Sequence, residues 1–182
     1  MTNKIVPIVL ISILIFVFYG VYTQATKSLK TKRLECQAKT ITFEKIFFEE
    51  PVKEAIEILK SSNYTINSSI QYSKYMKSNL INLLTKEQSD EKLINTINKN
   101  LNILDKKENK NKILIDYYIY ENDKEDTGKK NKDAKSYAGY LVFEFKYDNK
   151  LVYKIQTDYM DINANDIENR MDCVIKSFIS IN

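Results

Sequence analysis

The stretch YAGYLVFEFKYDNKLVYKI, residues 137–155, reads as two strands and the turn between them. Leu141, Phe143, Phe145 and Tyr147 alternate on one side of the first strand, which is taken from Tyr137 to Tyr147. Leu151, Tyr153 and Ile155 alternate on one side of the second. A period of two is the signature of a pleated strand with one buried face, and those faces must align across the turn. A two-residue turn at Asp148 and Asn149 opposes Lys146 to Leu151 and Glu144 to Tyr153, which mixes polar with apolar residues. A three-residue loop over 148–150 instead pairs Tyr147 with Leu151, Phe145 with Tyr153 and Phe143 with Ile155. The three-residue loop is the expectation.

Upstream, the same period starts at Lys112, with Ile113, Ile115, Tyr117 and Ile119 on one side of a further strand. Between the two regions Asn122 to Lys135 alternates charge runs around Gly128 and reads as a long, solvated, mobile loop. Downstream, a helix is expected from about Ala164, where Asn165 and Glu168 have capping-box-like spacing. Ile167, Met171, Val174, Phe178 and Ile181 line its one face, which should cover the sheet.

Helices precede the strands. Pro51 suits a first helical turn, Glu49 and Glu50 favour the positive helix end, and Val52, Ala55, Ile56 and Leu59 form a stripe. Ile41 to Phe48 before it fits strand or helix. After a polar break from Ser61 to Ser69, the spacing of Tyr72, Tyr75, Met76, Leu80, Leu83 and Leu84 predicts a helix over about 69–85. Thr85 and Gln88 then have capping-box spacing, ahead of a helix bearing Leu93, Ile94, Ile97, Leu101 and Leu104. Core packing is the expected use of these stripes, with partner helices as the alternative.

The N-terminal segment sets a different expectation. Ile5 to Tyr22 is uncharged and almost wholly apolar, and as a helix it covers roughly 27 Å, near the ~30 Å hydrocarbon thickness of a bilayer. A signal anchor is favoured over a cleaved signal peptide, whose apolar region is usually shorter and whose cleavage site Thr23-Gln24-Ala25 matches poorly. Cys36 lies too far downstream for a lipoprotein. Lys27, Lys30, Lys32 and Arg33 outnumber Lys4 and argue for a cytoplasmic domain, whereas the short N-terminus argues for export. The expected fold class is therefore α+β: an N-terminal transmembrane helix and stalk, then helices followed by a three-stranded antiparallel sheet and a C-terminal helix. The expected organisation is anchor at 1–25, basic helical stalk at 26–40 and one domain at 41–182. The expected location is the inner (cytoplasmic) membrane, single-pass, with the domain periplasmic or extracellular.

Composition excludes several function classes. Histidine is absent, which removes the commonest general base and transition-metal ligand. The three glycines, Gly20, Gly128 and Gly139, cannot write a phosphate-cradling loop. Basic residues number 28 against 24 acidic ones, spread through the chain, and Arg occurs only as Arg33 and Arg170. Neither nucleotide nor nucleic acid is expected as a partner, and no cofactor or metal is expected. Asn63-Tyr64-Thr65 and Asn67-Ser68-Ser69 match the glycosylation pattern, a match that chance supplies in so Asn-rich a chain. Cys36 and Cys173 are a disulfide candidate, with two buried free thiols as the alternative.

Strand alternation also defines a second sheet face, with Leu114, Asp116, Tyr118 and Tyr120 on one strand and Tyr140, Val142, Glu144 and Lys146 on the next. Tyr118, Tyr120, Tyr140, Val142 and Glu144 are the candidate partner-binding residues, because Tyr buries much area at low entropic cost. The alternative is an N-terminal helix packed over that face. Asp116 and Glu144 are the only carboxylates set near apolar residues, but Lys146 and Lys154 make cross-strand charge pairs the simpler reading. The functional expectation is a non-enzymatic single-pass membrane protein that binds other envelope proteins, as a subunit or scaffold of a secretion or motility machine. A membrane-anchored ligand- or toxin-binding module, of immunity or sensor type, is the second expectation, favoured by any deep apolar cavity under the closing helix. An enzyme using carboxylates or a cysteine is the third.

Overall fold

A computed structural model describes residues 5–26, 33–40, 42–101, 111–128 and 136–181. The chain divides into two units, Met1–Thr31 and Lys32–Asn182. The first holds helix α1, Ile5–Thr26. Its side chains are described over residues 10–20, where they are exposed. Among the described residues no helix is long and apolar enough to cross a membrane. The transmembrane anchor, the signal-anchor assignment and the single-pass inner-membrane location are corrected accordingly.

The second unit runs α2 Glu35–Ala38, β1 Thr42–Ile46, α3 Glu49–Lys60, β2 Tyr64–Gln71, a 3-10 turn Leu80–Asn82, α4 Lys86–Leu101, β3 Ile113–Glu121, β4 Gly139–Tyr147, β5 Lys150–Tyr159 and α5 Ile167–Ile179. Its sheet has five strands in the order β1-β5-β4-β3-β2, not three. It is mixed, because β2 lies parallel to β3 while every other pair is antiparallel. A parallel neighbour needs a crossover, and α4 lies in it.

The three expected strands lie at the centre of the sheet, and the two unexpected ones are its edges. In β2, Tyr64, Ile66, Ser68 and Ile70 stand beside Ile113, Ile115, Tyr117 and Ile119. A strand buried on one face, at an edge, needs few apolar residues, so Asn and Ser mask its alternation. β1 resolves the ambiguity of 41–48 in favour of a strand from Thr42, with Ile41 outside the described residues.

The helix expected over 69–85 is also corrected: residues 64–71 are strand, and a loop leads to the 3-10 turn. Of the proposed stripe only Leu80 and Leu84 are buried, while Tyr75 is 64 % exposed. The amide hydrogens of this segment go elsewhere. The Glu121 carboxylate accepts from the N–H groups of Ser73, Asn79 and Leu80 at 3.0, 2.8 and 3.0 Å. The Asp123 carboxylate accepts from those of Lys74, Tyr75 and Met76 at 2.6, 2.6 and 3.2 Å. Asn122 and Asp123 are buried, so the solvated loop does not begin at Asn122; its 129–135 segment lies outside the described residues.

The hairpin combines both alternatives. Asp148 and Asn149 take φ of 48° and 58° in a two-residue turn that pairs Tyr147 with Lys150 and Lys146 with Leu151. Two positive φ values make the turn type whose twist matches the strands. A bulge beyond Lys146 then restores Phe145 opposite Tyr153 and Phe143 opposite Ile155. The expected loop and its Tyr147–Leu151 pair are wrong, and the core register is right.

All three long helices of this unit pack on one sheet face. Phe178 of α5 stacks on Phe145 at 4.1 Å, and Tyr117 stacks on Phe143 at 4.8 Å. The α3 stripe Val52, Ala55, Ile56 and Leu59 is buried, as are Leu93 and Ile97 of α4, whereas Ile94 is exposed and Leu104 lies outside the described residues. Thr85 and Gln88 make a reciprocal capping box, with bonds of 2.9 and 3.2 Å. The α5 stripe is buried as expected, but the helix starts at Ile167; the Asp166 carboxylate accepts from the N–H groups of Met160 and Asp161.

Of the stalk proposed for 26–40, residues 27–32 lie outside the described residues, and 33–40 hold only the four-residue α2. Cys36 is bonded to Cys173 of α5. Beside it Gln37 donates to Ser177 at 2.9 Å, Ser177 donates to Glu44 at 2.9 Å, and the Tyr153 hydroxyl also reaches Glu44.

Candidate functional site

Alternation along β3 and β4 turns one set of side chains away from the helices. In register, Tyr120 faces Tyr140, Tyr118 faces Val142, Asp116 faces Glu144 and Leu114 faces Lys146. Among the described residues of the Lys32–Asn182 unit, no helix lies on this side of the sheet.

The five predicted site residues share this face but divide into three kinds. The Tyr120 and Tyr140 rings stack at 4.8 Å, and Tyr118 meets Tyr140 edge-on at 6.2 Å. All three are half-buried. Burial, followed by the neighbouring phenols of Tyr118, Tyr120 and Tyr137, pushes the Tyr140 hydroxyl up to about 12. Val142 is only 2 % exposed, so it supports the rings and has almost no surface to offer a partner.

Glu144 belongs to a ladder of charges. Lys154 reaches it at 2.7 Å, and Lys146 bridges Glu144 at 3.0 Å and Asp116 at 2.6 Å. Asn67 donates to Asp116 from the neighbouring strand at 3.0 Å. The bond from Lys154, and then that from Lys146, holds the Glu144 carboxyl below its ordinary range against the opposing effect of burial. An ion-paired carboxylate of this kind is a poor general acid at neutral pH. At this exposure each pair contributes less than about 1 kcal/mol. The two carboxylates lie opposite each other on the sheet face turned away from the helices.

Three features beside the predicted set escape a reading by alternation alone. Tyr137 lies just before β4, and its burial, followed by the nearby Asp158 and Tyr120, raises its hydroxyl. Asp158 is buried at the same end of the sheet, and burial lifts its carboxyl against the hydrogen bond from Gln156 and the charge of Arg170. Finally, a cleft of about 430 Å³ opens where the 71–75 segment passes Tyr120, lined also by Asp123 and Asp126. The spacing of Tyr72 and Tyr75 reads as helical, and a helix over 71–75 gives no sign of a cleft here.

The carboxylates beneath that segment are firmly ionised. Burial raises Glu121, yet the bonds from the Ser78 hydroxyl and the Ser73, Leu80 and Asn79 N–H groups outweigh it and hold the carboxyl low. Asp123 behaves likewise, with the N–H groups of Tyr75, Lys74 and Met76 overcoming desolvation. Three amide donors per carboxylate leave these acids structural rather than reactive. The loop they hold is a preorganised wall.

The described residues contain no group of His, Cys, Asp and Glu that could hold a metal ion. The candidate disulfide is present, with Cα atoms 5.8 Å apart. No protein-family model matches the chain, and no curated protein matches it. Among solved structures, a PelC dodecamer from Paraburkholderia phytofirmans is similar at a TM-score of 0.35 and 8% identity, over 78% of this chain and 97% of that one. A likeness at that level carries no argument about fold or function.

Proposed function

We propose that the Lys32–Asn182 unit is a non-enzymatic protein-binding domain, a subunit or scaffold of an extracytoplasmic assembly, and that its tyrosine-bearing sheet face seats the partner. The observation that carries this reading is the contiguous set of Tyr118, Tyr120 and Tyr140 rings, half-buried on a sheet face that bears no helix among the described residues of that unit. Large, stiff aromatic rings with polar tips are the side chains that interface centres favour. The Cys36–Cys173 bridge supports an oxidising compartment. Protein binding is preferred to small-ligand binding under α5 because the stacked Phe145 and Phe178 rings occupy the space that an apolar cavity needs.

The test is partner recovery from extracts by the tagged full chain, wild type against the Tyr118→Ser/Tyr140→Ser double variant. The expected outcome is loss of specific co-purifying protein from the double variant while its thermal unfolding stays cooperative. Unchanged recovery removes this face from consideration.

A further inference from the structure

Tyr120 belongs to two features at once, since it stacks on Tyr140 in the sheet patch and also forms part of the cleft wall. A partner seated over Tyr120 therefore lies beside the cleft, and the chemistry of the cleft constrains what that partner presents there. Among the described residues its lining has no aliphatic side chain. Its described lining is Tyr72, Tyr75 and Tyr120 with Lys74, Asp123 and Asp126, beside Gln71 and Ser73. An apolar side chain has no matching surface here and would strip water from charged groups without return.

Among the described lining residues, two carboxylates, Asp123 and Asp126, stand with one base, Lys74. Asp123 is 3 % exposed and accepts three amide hydrogens, so it contributes a fixed negative field rather than a contact. Asp126 is half-buried and accepts the Gly128 N–H through Oδ1 at 2.8 Å, a bond that does not involve its second oxygen. Lys74 rides on a flexible four-carbon stem, while its backbone N–H is held by Asp123. The segment bearing the rings is fixed by Glu121 and Asp123, so little ordering cost is left for the moment of binding.

Resting on the protein-binding reading above, we propose that this cleft takes an arginine side chain of the partner, stacked on the tyrosine rings and hydrogen-bonded by Asp126. A guanidinium suits it better than an ammonium because it is planar, stacks on aromatic faces and donates in a fork to a carboxylate. The sheet patch then supplies buried aromatic area and the cleft supplies the charge that sets orientation, a division of labour familiar at interfaces.

The probe is arginine amide, titrated into the isotope-labelled full chain and followed by amide chemical shifts, with citrulline amide as the neutral isostere. Saturable shifts at residues 71–75, Tyr120 and Asp126 are expected with arginine amide, and at most weak, non-saturating shifts with citrulline amide. Asp126→Asn keeps the Oδ1 acceptor for Gly128 and should weaken arginine amide binding roughly tenfold, the worth of one charge-assisted hydrogen bond. Tyr75→Ala, at an exposed ring, should weaken it also. Equal response to the two amides, or shifts spread over the surface with none in the cleft, overturns the proposal. If the Tyr118→Ser/Tyr140→Ser variant loses its partner while the cleft ignores arginine amide, protein binding stands and the arginine anchor falls.

Discussion

Gly139 shows how little room the tyrosine end of the sheet has. A Cβ added there would run into the Tyr120 carbonyl oxygen and the Tyr159 ring, and the first of these is backbone that cannot turn aside. Its φ is not positive, so the requirement is for space and not for a left-handed conformation. Gly139→Ala is expected to cost about 1–3 kcal/mol by overpacking and to disturb Tyr120 in both patch and cleft. Urea unfolding checks the first effect and amide shifts at Tyr120 the second. An unchanged midpoint would show that β3 and Tyr159 yield more easily than their packing implies. The sequence marks this position only as a lone glycine at a strand start, since nothing local says that Tyr159 crosses it.

The 72–80 segment is organised by two carboxylates that follow it by more than forty residues in sequence. Their folded pKa values lie below the ordinary 4.5 of Glu and 3.8 of Asp, so protonation favours the unfolded chain. The stability these bonds supply is complete above about pH 4.5 and is lost as pH falls through the depressed values. Urea midpoints should hold from neutral pH to about 5 and drop steeply below about 4. Glu121→Gln puts an amide donor among donors, and should cost about 2–3 kcal/mol at neutral pH while flattening the acid limb. A variant with the wild-type acid limb would assign the pH dependence to other groups. The same segment explains the misread helix. Three- and four-residue spacing of apolar residues is necessary for a buried helical stripe but not sufficient, and here the amide hydrogens found stronger acceptors than the carbonyls four residues back.

For the molecule as a whole, the Cys36–Cys173 bond closes a loop across 137 positions and ties α2 to α5. In the chain-entropy model a loop of that length is worth roughly 4–5 kcal/mol. Cys36→Ser/Cys173→Ser should therefore lower the urea midpoint strongly, with the Gln37, Ser177 and Tyr153 network around Glu44 loosening in step. A reductant should bring the wild type to the same midpoint; a bond whose loss leaves the midpoint in place would be ornamental to the fold.

Local pattern alone determined the central strands, the stripes of α3 and α5, Leu93 and Ile97 of the α4 stripe, the α4 capping box and the set of tyrosines that share one sheet face. Each of these follows from a period of 2 or 3.6 or from spacing within one helical turn, which the chain carries in itself. The edge strand β2, the bulge that rescues the hairpin register, the acid-held loop and the cleft beside Tyr120 were decided only by tertiary structure. Their causes lie in partners far along the chain: β3 gives β2 its ladder, Glu121 and Asp123 take the amide hydrogens of 73–80, and the Phe145–Tyr153 pairing overrides a turn that by itself would shift the faces. Periodicity states which face a side chain takes, but competition among distant hydrogen-bond and packing partners decides what that face meets.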